Sequence, residues 1–381
     1  MQITVATTRA DLDALGPRWD SLAITVPHAG RPLFTLVQDA LGDDGKPYVL
    51  LLEREGRGPI LVVARVERRP VRVKAGYRTL LTAQARWLVV VDGGIVGAET
   101  ADDQRAVLDA LTACLRRGVA DILQLSKVLV DGELHRVAAT HLSWHRRGHG
   151  ATRQVHHTSD LSGGFDALLG RRSKGTRWRM RKRLKRLADP ESKMSVRRIG
   201  PGDDVTDVVR TLDQIASTSY QRGIGVGFAD DALHRALVRW ATDGGPYGIW
   251  LLSMGEVPVA YLNGVTYNGT FQLFETAFDG ARSDDEPGGI LLARVLEELA
   301  GDPDVDTFDY GYGDAQYKQS MSDKSWEETD LLFFAARPRA QALNLLSTAA
   351  AGAVALGKRV LGRERVAALR RRKRAELAES A

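Results

Sequence analysis

A single cysteine, Cys114, is all the thiol chemistry in the 381 residues of this chain. One thiol can build neither an internal disulfide framework nor a multi-cysteine zinc site, so stability must come from a packed core. The glycine signatures of several enzyme classes are also missing. There is no P-loop, no dinucleotide fingerprint and no Gly-x-Ser-x-Gly nucleophile turn. Long apolar runs are scarce. Ala340 to Gly357 is uncharged over 18 residues, the lower limit for crossing a bilayer, but alanine is its commonest residue and it includes Gln341, Asn344, Ser347 and Thr348. The opening stretch MQITVATTRADLDALG has neither the basic start nor the apolar run of a secretory leader, so a cytoplasmic location is expected.

What is present is charge, unevenly placed. Apolar residues make up 44% and charged residues 27%, a globular balance, and the length suggests two domains, or two and a tail. The net charge of +5 conceals two basic segments. Ten basic residues and no acid lie between Arg171 and Arg186, and nine cations lie between Lys358 and Arg374 with Glu364 as the only acid. Elsewhere acids outnumber bases. In the first segment Met180, Leu184 and Leu187 share a helical face that can pack, leaving the rest cationic. That pattern suits a solvated helix, an anionic acceptor or lipid surface, or a nucleic acid. Only Trp178 interleaves aromatically and no recognised reading motif is present, which argues against sequence-specific nucleic-acid binding. The second segment follows Leu343, Leu346, Ala350, Val354 and Leu361, spaced as one side of an amphipathic helix. Such a helix packs on its own protein or touches anionic lipid peripherally at the inner face of the membrane.

Hydrophobic periodicity orders the elements. In the first half it predicts a helix over Arg9–Leu22, strands over Tyr48–Glu53, Ile60–Val66 and Arg86–Asp92, a helix over Asp102–Arg117 and a strand over Asp121–Lys127. The second half predicts a strand at Ser195–Ile199 and helices at Asp203–Arg222 and Asp230–Trp240, with Asp230 or Asp231 as cap. Strands follow at Gly248–Met254, Val257–Tyr267 and Thr270–Phe278, the last two joined at Asn268-Gly269 by a tight-turn signal. A helix at Ile290–Ala300 and a strand at Thr307–Tyr310 close the series. The two halves share an element order, although the first lacks an obvious glycine turn. His141, His145, His149, His156 and His157 cluster between them, but Gly148 and Gly150 interrupt the helical spacing and no cysteine or acid completes a ligand set. A polar linker is expected there, with no metal.

The chemical clue is a strand, a polar loop and the helix start Pro287-Gly288-Gly289-Ile290. Backbone N–H groups at a helix N-terminus are unpaired and the dipole there is positive, which suits a diphosphate. Asp284, Asp285 and Glu286 would oppose one, so an ordinary loop is the other reading.

Three blocks carry a family resemblance: the basic helix Arg172 to Arg179, the turn Pro287 to Leu292, and Phe308-Asp309-Tyr310-Gly311-Tyr312-Gly313-Asp314-Ala315-Gln316-Tyr317-Lys318. From Phe165 to Ala336 the chain resembles the GNAT N-acyltransferase superfamily, most of all its CelD/BioF-like branch, relatives of the Fem-type peptidyltransferases. The resemblance implies an α+β fold of tandem units, each a mixed, mostly antiparallel sheet flanked by helices, followed by a helical basic tail. The boundaries expected are 1–145 and 159–338 for the units, 146–158 for the linker and 339–381 for the tail. It further implies transfer of an acetyl or longer acyl group from acyl-CoA, held in a V-shaped gap between two strands, to an amine. That amine would belong to a small molecule, glycan or peptide, with envelope or polysaccharide components among the candidates. In the Fem-type branch an aminoacyl-tRNA is the donor, and a scaffold binding glycan or lipid without catalysis is a third reading. The family turn has Ser where this chain has Glu286.

Acyl transfer needs a base for the ammonium, donors for the oxyanion and an acid for the thiolate. Glu275, mid-strand among apolar neighbours, is the candidate base, or else an outward strand carboxylate. Tyr317 stands where the superfamily commonly has its general acid, or else is a packed tyrosine. Pro287, Gly288, Gly289 and Ile290 would hold the diphosphate, and Ala277 and Phe278 would pair with the pantetheine amides through their backbone. Lys318 would meet the diphosphate or the acceptor, or lie on the surface. Asp309 and Asp314, beside glycines, are expected to fix their loop through Asx-type hydrogen bonds.

Overall fold

The computed structural model describes residues 1–75, 78–150, 152–219, 227–313 and 315–361. Asp314, the end of the helix expected to Arg222, and the basic run from Arg363 lie outside the described residues. In chain order the first elements are β1 (Gln2–Ala6), α1 (Arg9–Asp20), α2 (Arg31–Leu41), β2 (Gly45–Pro47), β3 (Val49–Glu53), β4 (Ile60–Ala75) and β5 (Arg78–Val96). Then come α3 (Ala101–Arg117), β6 (Ile122–Leu129), α4 (Glu133–His141), β7 (Gln154–Asp160), α5 (Gly164–Gly170) and α6 (Lys174–Ala188). β8 (Met194–Arg198), α7 (Val205–Ser217), α8 (Ala232–Thr242), β9 (Tyr247–Met254), β10 (Val257–Tyr267) and β11 (Thr270–Phe278) follow. The last are α9 (Pro287–Leu299), β12 (Thr307–Tyr312), α10 (Gln316–Met321), β13 (Lys324–Phe334) and α11 (Pro338–Leu361).

Two compact units result. One contains residues 1–24, 42–153 and 328 onward; the other contains 25–41 and 154–327. Segments are thus exchanged relative to a simple division of the sequence into halves. Residues 25–41 belong with the second unit and most of β13 with the first. The expected linker also shrinks, because Gln154–Asp160 is a strand of the second unit. Its two histidines are buried, His156 at 4% and His157 at 3% exposure.

The first unit orders its strands β1-β3-β4-β5-β6-β13, antiparallel except for β5 against β6. Its β4 and β5 are far longer than periodicity predicts, because they pair with each other from Leu61 and Val96 out to Ala75 and Arg78. α11 packs on β4, with Ala340, Leu343 and Ala350 buried, while Leu346, expected inward, is exposed. Asn344 is buried and donates to the carbonyls of His145 and Arg147 at 2.8 and 3.0 Å. Val354 and Leu361 have no described side chains. Among the described residues no helix is long and apolar enough to cross a membrane.

The second unit orders its strands β7-β12-β11-β10-β9-β8, with β11 and β12 parallel and the rest antiparallel. Side chains alternate along each strand, so the sheet has two buried faces. Trp250, Leu252, Leu262, Phe271 and Phe308 pack on one face with Ile290, Leu291 and Val295 of α9 and Met180 of α6. Ile249, Leu251, Tyr261 and Val265 pack on the other with residues of α2, α7 and α8. The buried Trp250 indole donates to Glu298 at 3.0 Å, which removes the cost of its polar atom. Asn268 and Gly269 take φ of 44° and 78°, the left-handed pair that a two-residue hairpin turn needs. Asp231 caps α8, its side chain accepting from the His234 amide.

Candidate active site

The parallel pairing of β11 with β12 is short. It runs from Thr270 opposite Thr307 to Gln272 opposite Asp309 and stops. Immediately beyond, each strand carries a bulge against its other neighbour. The register of β11 with β10 skips Phe274, and that of β12 with β7 skips Tyr310. A bulge bends and twists its strand, so two bulges at the same level turn the strands apart. At the apex Gln272 donates to Asp309 at 3.2 Å, and His156 Nε2 lies 2.6 Å from the other Asp309 oxygen, with Trp326 stacked on the imidazole at 4.6 Å. Asp309 also accepts from the Gly311 amide at 2.6 Å, the Asx-type bond expected of it.

The Phe274 bulge also reverses which residues face which side. Phe271 and Leu273 join the core beneath α9, but Ala277 joins the core beneath α7 and α8. One extra residue has shifted the two-residue alternation, and Glu275 is carried with it toward α8. There Glu275 Oε1 meets His234 Nε2 at 3.3 Å, while Asn263 Nδ2 donates to Glu275 Oε2 at 3.3 Å. The Glu275 amide donates to Asn263 Oδ1 at 2.9 Å, so the carboxylate is held from both backbone and side chain. His234 Nδ1 lies 2.9 Å from Asp231 Oδ1. Burial disfavours the imidazolium, but the hydrogen bond and charge of Glu275, followed by those of Asp231, raise its pKa overall. Aromatic rings surround the pair: Phe228 lies 4.5 Å from His234, and the Phe274 ring contacts Tyr247 at 5.8 Å and His28 at 5.2 Å. Burial, then the charge of Glu275, pushes the Tyr247 phenol well up, so it stays protonated.

α9 begins one loop after β11. Glu286, its N-cap residue, has φ of 53° and makes no side-chain cap. Gly289 and Ile290 both donate to the Glu286 carbonyl at 3.0 Å. A Cβ on Gly288 would lie 3.0 Å from the Phe278 ring, and one on Gly289 would lie 2.5 Å from the Arg183 guanidinium. Glycine allows this close approach, and a side chain at either position would have to push the Phe278 ring or the Arg183 guanidinium aside. Instead of capping the helix, the Glu286 carboxylate accepts from Arg183 Nη2 at 3.1 Å. Asp285 takes Arg186 at 2.6 Å. The hydrogen bond from Arg183 holds the Glu286 carboxyl below the usual carboxylate range. Two of the three acids that seemed to oppose a phosphate, Asp285 and Glu286, are thus paired with the basic helix α6.

The other expected residues are placed as follows. Tyr317 packs edge-on to Tyr310 at 6.3 Å, and burial pushes its phenol up to about 12. Lys318 donates to the Tyr310 and Tyr312 carbonyls at 2.6 and 2.8 Å, so its ammonium ties down the end of β12. Ala277 is buried and Phe278 is 39% exposed. Nothing in the sequence separates Lys318 from a phosphate ligand, because its partners are carbonyls of another element. His234 and Asn263 were missed altogether. Each lies far from Glu275 in sequence, and the only local signal was the Asp231 cap. Among the described residues no three His, Cys, Asp or Glu side chains converge as a metal site.

The first unit repeats the plan with a difference. β5 and β6 pair in parallel from Trp87 and Ile122 to Val90 and Leu125, and a cavity of about 270 Å³ opens beyond. The following helix, α3, is closed by a capping box. Asp103 donates its amide to Thr100 Oγ1 at 3.2 Å and accepts the Thr100 and Glu99 amides at 3.2 Å. Asp103 is also paired with Arg54 and Arg57. A carboxylate already occupies the helix N-terminus there.

Residues 174–319 match the family model described as "Acetyltransferase (GNAT) domain". Among solved structures, FemX matches at 12% identity with a TM-score of 0.59, over 90% of this chain and all of that one. A conserved protein of unknown function from Bacteroides thetaiotaomicron VPI-5482 matches at 14% and 0.53, over 87% of this chain and all of that one. A tandem GNAT protein from the clavulanic acid biosynthesis pathway matches at 11% and 0.51, over 88% of this chain and 99% of that one. At such identities these structures speak for the fold alone. No curated protein matches the chain.

Proposed function

We propose that the second unit, which contains the residues matched by the GNAT acetyltransferase model, is a GNAT-type acyltransferase that transfers an acyl group from acyl-CoA to a primary amine. The observation that carries this reading is that the β11–β12 pairing ends at Gln272 and Asp309, with a bulge in each strand just beyond, and that α9, one loop later, has no side-chain cap. Parted parallel strands leave inward backbone groups of β11 around Ala277 and Phe278 free to pair with the amides of a pantetheine arm. Of the expected cradle, Pro287 has no N–H and the Gly289 and Ile290 amides already donate to the Glu286 carbonyl, so the Gly288 amide and the positive end of α9 would receive the diphosphate, aided by Arg183 once it exchanges Glu286 for phosphate. Glu275 takes the ammonium proton and Tyr317 protonates the departing thiolate. Asn263 fixes the Glu275 carboxylate, and Lys318 serves by holding β12. The acceptor is a small molecule, glycan or peptide bearing an amine, and the donor implies work on the cytoplasmic side.

Glu275→Gln is expected to lower kcat by ~10²-fold or more with donor affinity kept. Stopped-point thiol release with acetyl-CoA and an amine panel measures it, and an unchanged kcat would remove Glu275 from the chemistry.

A second donor is favoured by one feature. The outer side of α6 exposes Lys174, Arg179, Arg181, Lys182, Lys185 and Trp178, the last at 62%. Under a Fem-type reading this side holds aminoacyl-tRNA. Product formation from charged tRNA that survives ribonuclease pretreatment of the donor would exclude it.

A further inference from the structure

Acyl transfer from a thioester to an ammonium leaves one proton too many. The nitrogen sheds two protons as its bond to the carbonyl carbon forms and the carbon–sulfur bond breaks. One ends on the sulfur; the other must reach solvent. Glu275, which receives it, is itself only 18% exposed. Among the described residues a polar route leads outward from it. His234, at 15% exposure, touches Glu275 through Nε2 and Asp231 through Nδ1, and Asp231 is 51% exposed.

We infer that His234 and Asp231 are positioning residues that relay the acceptor's proton from Glu275 to water. The inference rests on Glu275 being the base. Once Glu275 holds the acceptor's proton, the neutral imidazole presents Nδ1–H to Asp231 and accepts from Glu275 at Nε2. Glu275 hands its proton to Nε2, Nδ1–H passes to Asp231, and Asp231 releases it to water. No oxidant or further reactant is needed: the intermediate is an imidazolium paired with both carboxylates, and after one proton has left for water the Nδ1–H tautomer is restored by proton exchange with water.

The ring is held for this purpose from several sides. Phe228 packs against it at 4.5 Å and itself meets Tyr261 of β10 edge-on at 6.1 Å. Among the described residues the ionisable neighbours are Asp231 on its own helix, Glu275 on β11, Tyr247 on β9, which feels the Glu275 charge, and Tyr261 on β10. Arg235, the next residue on α8, is occupied by Asp230 at 2.6 Å. A capping role alone accounts for Asp231 accepting the His234 amide at 2.9 Å. It does not account for an imidazole shared between that cap and a strand carboxylate 41 residues away.

The test uses the full chain and two readouts. First, the His234 imidazole is titrated by NMR in the wild type and in Glu275→Gln, a measurement that needs no acceptor. The relay expects the wild-type value above the ordinary histidine range and a fall in the variant. An unmoved value overturns it. Second, thiol release from acetyl-CoA is followed with butylamine as probe. His234→Gln is expected to lower kcat about tenfold or more, leave KM for acetyl-CoA within about twofold, and lose the rise of kcat with pH. Asp231→Asn keeps a good cap, so its loss of rate without loss of Tm separates proton transfer from helix capping. Imidazole added to His234→Gly should restore part of the rate. If Glu275→Gln is inactive while His234→Gln keeps both rate and pH profile, the relay is wrong and the base stands. If Glu275→Gln is as active as the wild type, the base reading itself fails.

Discussion

At the scale of single residues, the site depends on groups whose ionisation is set by neighbours rather than by type. His234 is the clearest case. Its folded pKa is raised by Glu275 and Asp231 against the opposing effect of burial. A raised histidine contributes stability that is fully present below its ordinary value of 6.5 and is lost as pH rises through the higher folded value. Urea unfolding of the wild type and His234→Gln should therefore differ more at about pH 5.5 than at about pH 8.5. A constant difference would mean that the imidazole is not shared with carboxylates. Tyr317, pushed up to about 12 by burial alone, stays a proton donor throughout the neutral range. Tyr317→Phe should lower kcat by ~10-fold or more without adding or removing a pH limb below about pH 10. Glu275 can be proposed from its place in a strand among apolar residues, and Tyr317 from the family resemblance. His234 was not, since its partner is 41 residues distant and only the Phe274 bulge, invisible to periodicity, turns Glu275 toward it.

At the scale of elements, bulges and helix starts do the positioning. The bulge on β11 requires Gly264 opposite it. A Cβ at Gly264 would lie 2.2 Å from the Gln272 carbonyl oxygen and 2.6 Å from the Phe271 ring. Backbone cannot move aside as a flexible side chain can. Gly264→Ala should cost ~2 kcal/mol or more of stability in chemical denaturation, within the range of overpacked core sites. An unchanged midpoint would show that the bulge tolerates a side chain. At α9 the outcome is opposite in sign. Glu286 accepts from Arg183 where the diphosphate is proposed to bind, so Glu286→Ser should tighten CoA binding severalfold, about 1 kcal/mol for removing a half-exposed charge. Weaker binding on calorimetry would mean that Glu286 assists the donor by ordering Arg183. The hairpin at Asn268-Gly269 and the helix at Pro287 were readable because glycine and proline act locally. The lengths of β4 and β5, and the capture of Lys318 by carbonyls of β12, depend on tertiary partners and left no trace in the residue pattern.

At the scale of the whole molecule, the chain is two units that exchange segments. Leu33 and Phe34, from the first tenth of the sequence, are buried at 3% and 0%, and Leu33 belongs to the core beneath α7 and α8. Element order repeats in the two halves but carries no sign of this exchange, because a helix's periodicity tells which face it buries and not against what. The units also differ in their chemistry. α3 has its N-terminal amides taken up by Thr100 and Asp103, whereas α9 has no side-chain cap. One donor site per chain is therefore expected, in the second unit. Isothermal titration of the full chain with acetyl-CoA tests this most directly. The account predicts saturable binding of one molecule per chain, strengthened by Glu286→Ser and unaffected by substitutions in the 270 Å³ cavity of the first unit. A folded chain that takes up no acetyl-CoA at millimolar concentration, or that binds two equivalents, would contradict it.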